Sequence, residues 1–129
     1  MDYSKMSDFE INAAVFENLH GGAPDYKEGD GGAMVLISYE GDVVGGDAVE
    51  VEVERGVFNP CNNPADAWPI IVENKLSIYP SGERWGVEGF NADDPFYFDD
   101  NPLRAVMIVF LLMQESANVQ ANPARPDIR

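Results

Sequence analysis

Bases are scarce in this chain: eight Lys and Arg stand against 23 Asp and Glu, for a formal net charge of −15. Affinity for nucleic acid comes mainly from Lys and Arg displacing counterions from phosphate, and no two bases here are adjacent, so direct nucleic-acid binding is not expected. Anionic membrane surfaces are disfavoured for the same reason. The single Cys61 makes an intramolecular disulfide impossible, and the expected compartment is the cytoplasm. With one Cys and one His in total, zinc lacks ligands, and no cofactor is expected. Long apolar runs are missing too: Ala105 to Met113 is the longest and covers about half of the ~20 residues that a helix needs to cross a bilayer. The start, Met1 to Met6, has neither the basic nor the apolar region of a secretory signal.

What the chain does have is enough apolar residues, 45% of 129, to build one core without staples. We expect a single α+β domain over 1–117 and a disordered tail over 118–129, where little remains to bury. The acidic excess leans to the first half, with 13 acids and 3 bases in residues 1–60. Such a surface keeps a protein soluble, and it steers encounter only with an oppositely charged, basic protein partner.

Helix punctuation is clear at three places. Ser7-Asp-Phe-Glu10 is a capping box, with Met6 and Ile11 placed as a hydrophobic staple, and Gly21-Gly22 closes the helix that it starts. Asn63-Pro64 starts a second helix whose buried face is expected from Trp68, Ile71 and Val72; an alternative start at Asp66 places Pro69 in the first turn, where no bond is lost. Asn101-Pro102 repeats the signal before a helix running to about Ala117, apolar on all sides from Ala105 to Met113.

Strands fill the intervals. Ala33–Tyr39 reads as a strand covered on both faces, in a sheet interior. After a turn-rich connection at 41–47, Val49, Val51 and Val53 alternate with Glu50, Glu52 and Glu54, which predicts a core face and a wet face. Leu76–Tyr79 and Arg84–Glu88 form a second hairpin, while 21–32 and 91–100 read as loops. The order is α-β-β-α-β-β-α: a mainly antiparallel sheet from two hairpins packed with three helices in a layered sandwich.

Three blocks carry a resemblance: residues 1–12, Phe58-Asn-Pro-Cys-Asn-Asn-Pro-Ala-Asp-Ala-Trp-Pro-Ile-Ile71, and Asn101-Pro-Leu-Arg-Ala-Val-Met-Ile-Val-Phe-Leu-Leu-Met-Gln-Glu115. In that order the chain resembles the NinX-like proteins of lambdoid phages and is distantly similar to small phage domains described as α/β/α sandwiches. The resemblance implies a phage or prophage accessory protein and brings no catalytic residues to carry over.

Chemistry has few places to reside. Cys61 and His20 form the one thiol–imidazole couple available, and only folding can bring them together. Asp93, Asp94, Asp99 and Asp100 offer oxygens for a hard cation but lack the alternating ligands, central Gly and terminal Glu of a calcium loop. Gly29–Gly32 and Gly41–Gly46 lack the lysine and following helix of a phosphate loop. The Glu50/Glu52/Glu54 stripe suggests nucleic-acid mimicry, yet alternate strand residues lie ~6.8 Å apart, against one charge per ~1.7 Å of duplex axis. The segment holding Phe58, Asn62, Asn63, Asp66 and Trp68 is the richest in hydrogen-bonding groups beside aromatics and is the expected partner-binding site. The expectation is a non-enzymatic, protein-binding phage accessory domain. The alternatives are an acidic DNA mimic or host-factor inhibitor, and a metal-dependent hydrolase using the 93–100 carboxylates.

Overall fold

The computed structural model describes residues 2–121. Its centre is α3 (Pro102–Ala121), in which Ala105 to Leu111 are each at most 4% exposed. A helix apolar on every side needs cover on every side. One side is closed by the sheet β4 (Ser77–Ser81), β5 (Arg84–Glu88) and β6 (Phe96–Asp99), and the rest by α1 (Asp8–His20) and α2 (Pro64–Asn74). Each large apolar side chain buried there contributes about 1.5–3 kcal/mol of transfer free energy. The last helix ends four residues beyond the expected Ala117, at Ala121, so the tail expected from 118 begins as helix; its remainder, 122–129, lies outside the described residues.

The helix starts behave as their punctuation dictates. Ser7 accepts from the Glu10 amide at 3.1 Å while the Glu10 carboxylate accepts from the Ser7 amide at 2.8 Å, and Gly21, at φ +73°, closes α1. Asn63 caps α2 by accepting from the Ala65 amide at 3.0 Å. The start at Asp66 is thereby ruled out, and Pro69 lies inside the helix. The buried face of α2 is Ala67 and Ile70, with Ile71 partly covered, whereas Trp68 and Val72 are 63% and 54% exposed. Trp68 and Val72 were expected inside. A run apolar on all sides does not say which way the helix is turned, and here it is Ala67, 0% exposed, that faces inward.

Both hairpins are present, each with one further strand that the sequence hides. β1 (Tyr26–Glu28) lies in the expected loop 21–32 and pairs with β2 (Met34–Val44), which pairs with β3 (Asp47–Phe58). β6 lies in the expected loop 91–100 and pairs with β5. The hairpins therefore sit in two separate three-stranded antiparallel sheets, β1-β2-β3 and β4-β5-β6, in an α+β fold. Strands of three or four residues, flanked by Gly, Pro or Asp, are too short to show a period. β2 is central, as expected, and β4 tolerates Pro80 because it is an edge strand.

The first hairpin departs most from expectation. Its strands run on through the predicted connection to a two-residue Gly45-Gly46 turn, both at positive φ, the geometry that follows strand twist. The register places Val53, Val51 and Val49 opposite Ser38, Glu40 and Asp42. They share the sheet face that at its base carries Met34, Leu36 and Phe58, where Phe16 of α1 meets Phe58 edge-on at 5.5 Å. The valines were expected to be core. The alternation gives their face correctly, but the ribbon outruns α1, and Val49 and Val51 are 38% and 41% exposed.

Candidate functional site

Three helix starts and one turn converge on a polar cluster. Asn12 is fully buried on the inner side of α1; its Oδ1 accepts from the Cys61 amide at 3.0 Å, and its Nδ2 donates to the Gly32 carbonyl at 3.0 Å and to Asn59 Oδ1 at 2.8 Å. Asn101 caps α3 by accepting from the Leu103 amide at 2.9 Å, and its Nδ2 donates to the Cys61 carbonyl at 2.8 Å. Arg104, one turn into α3, donates from its guanidinium to Asp8 at 2.7 Å and to the Met6 carbonyl at 2.7 Å, with Asp99 at 3.4 Å. The N-terminal segment is thus tied to the start of the central helix. No buried side-chain nitrogen or oxygen among the described residues lacks a partner.

The expected binding residues divide around this cluster. Phe58 is half-buried against Phe16. Asn62 is exposed, yet its Nδ2 donates to Asp8 at 3.0 Å and to the Gly31 carbonyl at 3.2 Å. Asn63 is the α2 cap, and Asp66 accepts from the Asn59 amide at 2.9 Å. Each of these bonds holds the fold. Trp68 alone of the five points its apolar body outward, with Val72 one turn further along α2. Sequence reasoning missed Arg104, Asp8 and Asn12. The available signal was Asn12 between Ile11 and Ala13 on the inward side of an amphipathic helix, where a polar residue demands partners.

The nucleophile couple does not form. Cys61 is fully buried beside the Asp8 carbonyl, and burial pushes its thiol up to about 12, with the Asp8 carboxylate adding to the rise. His20 is exposed at the other end of α1, its ring tilted 45° against that of Phe16 at 4.3 Å between centroids. Asp8 and His20 stand twelve helical steps apart, about 18 Å along the helix. The loop carboxylates also part company: Asp94 accepts from the Asn91 amide at 2.9 Å, Asp99 faces Arg104, and Asp100 lies 3.4 Å from Arg84. A groove of about 280 Å³ between the loop and α3 is lined by Asp93, Asp94, Pro95, Met113, Ser116 and Ala117 and takes in only two of the four. Among the described residues no three His, Cys, Asp or Glu side chains gather as ion ligands, and no helix is long and apolar enough to cross a membrane.

The family model described as "Bacteriophage P22, NinX" matches residues 2–114. The chain belongs to that family. The matched span takes in both sheets, α1, α2, the first thirteen residues of α3 and the whole polar cluster of this NinX-family chain. The chain is a bacteriophage accessory protein. No curated protein and no solved structure matches it.

Proposed function

We propose that this NinX-family protein is a non-catalytic binding module for a host or phage protein. The observation that carries the reading is Trp68, 63% exposed and paired with exposed Val72 on the outer face of α2. Trp is enriched in interface hot spots, and a large ring held on a rigid helix loses little conformational freedom on binding. α2 itself bears Asp66 and Glu73 and no base, so the partner that fits is an apolar pocket rimmed by cations. The acidic-mimic reading is less well supported, because Lys27 bridges Glu52 and Glu54 and reduces the very stripe on which mimicry relies.

The test is differential capture from phage-infected cells with tagged wild-type and Trp68→Ala proteins, followed by titration of the recovered partner, purified, against both. A partner held by the wild type and lost at least about tenfold in affinity by the variant, with an unchanged unfolding midpoint, supports the reading. Equal binding by both proteins removes Trp68 from it.

A further inference from the structure

β3 is the terminal strand of its sheet: one side pairs with β2 along Asp47–Phe58, and no described strand pairs with the other. Beyond the irregularity at Leu36/Ile37 the ribbon runs past α1, with Val43, Val49 and Val51 exposed. A long open edge is a template for another strand unless something blunts it. Here the row Glu50, Glu52 and Glu54 does so against self-pairing, because a second copy would bring the same row alongside, and facing like charges destabilise a strand pair. The charge is not evenly spent. Of six carboxylates on the ribbon, Arg55 holds Glu40 and Lys27 bridges Glu52 and Glu54; among the described residues Asp42, Asp47 and Glu50 have no base, Glu50 on the glutamate face that borders the open edge and Asp42 and Asp47 on the valine face.

We propose that the open edge of β3 receives an extended segment of a basic protein as a fourth strand, with cations on the face of Glu50 and Glu52 and apolar side chains on the face of Val49 and Val51. Main-chain hydrogen bonds along such an edge supply affinity, and alternate side chains supply selectivity. The edge rejects a copy of itself by the same charges that admit a cationic strand. This surface is separate from Trp68, and the two readings fail separately: Trp68→Ala leaves edge binding intact, and edge variants leave the Trp68 contact intact.

The test is a titration of the isotope-labelled, full-length protein with a capped alternating (Lys-Val-Lys-Thr)2 peptide, following backbone amide shifts. The control is a peptide of the same composition with its lysines in one block. We expect the alternating peptide to bind about tenfold more tightly, with shifts confined to 47–58, because only alternation places every cation on one strand face. Glu50→Lys should weaken it about three- to tenfold with an unchanged unfolding midpoint, and Glu54→Lys less, since Glu54 already shares Lys27. Equal affinity for the two peptides, or shifts spread over the acidic surface, would mean charge attraction alone and overturns the proposal. So does self-association through β3.

Discussion

Where α1, the 59–63 turn and α3 meet, fully buried Asn12 and largely buried Arg104 each hold several partners inside the chain. Along the outer half of the β2–β3 ribbon, Val43, Val49 and Val51 stand in water and one strand edge is open. Polar groups are thus enclosed in one region and apolar groups exposed in the other, the reverse of what composition alone suggests. The enclosed groups cannot be removed singly without orphaning others, whereas the exposed ones hold nothing in place. The difference predicts that substitutions in the cluster change stability and substitutions on the ribbon change binding.

The largest effect should come from Arg104→Met, which keeps the apolar stem and removes the charge. It leaves Asp8 and Asp99 without their cation and the Met6 carbonyl without its donor. Breaking a largely buried pair by deleting one partner costs about 3–5 kcal/mol, read as a fall in urea midpoint. A loss nearer that of an exposed pair would mean that the guanidinium is solvated and the cluster holds less than its geometry implies. Asn12→Ala should follow, at about 2–3 kcal/mol, because the Cys61 amide and the Gly32 carbonyl both lose their partner in the interior.

A smaller effect appears at alkaline pH. The Cys61 thiol is raised from 9.0 and the Tyr3 phenol from 10.0, each to about 12, the first chiefly by burial and the second by burial and its 2.6 Å hydrogen bond to Glu115. Both groups stay protonated in the fold at pH values where the unfolded chain has ionised. The stability that they contribute is fully present below the unfolded values and is lost as pH rises toward the folded ones. Urea midpoints should therefore decline from pH 9.0 toward about 12, and Tyr3→Phe should flatten the upper part of that decline. Over the same range the native thiol should stay unreactive to a disulfide reagent until the chain unfolds. Early labelling of folded protein would show Cys61 to be accessible.

What the sequence made legible was whatever one element settles by itself. The capping box at Ser7, the Asn-Pro starts and the all-apolar central helix are local, and all are present. What it hid depended on a second element. The partition of the hairpins into two sheets turns on β1 and β6, which are too short for periodicity and are strands only because β2 and β5 offer them edges. The outward turn of Trp68 depends on what α2 packs against. Arg104 and Asp8 lie 96 residues apart in sequence, and nothing in either's neighbourhood announces the other. Of the expected binding residues, Asn62 finds its partners across the chain, at Asp8 and Gly31, while Asn63 and Asp66 bond close by, at Ala65 and Asn59, and Phe58 packs on Phe16.

The smallest expected effect is the sharpest test of the contrast. Val51→Thr keeps the β-branched shape and replaces a methyl by a hydroxyl. On a core face that change buries a polar group and costs about 1–3 kcal/mol, the value expected for Val15→Thr in fully buried α1 packing. On the ribbon, where Val51 is 41% exposed opposite Glu40, the hydroxyl meets water and the cost should stay within about 0.5 kcal/mol. Both variants are measured by urea unfolding under one buffer. If Val51→Thr costs as much as Val15→Thr, something covers the ribbon face in solution, and the valine row is an interface already occupied by another copy. If it costs little while the alternating peptide loses affinity, the row is free in the isolated protein and is used on binding, because an exposed apolar stripe adds to stability only when a partner removes it from water.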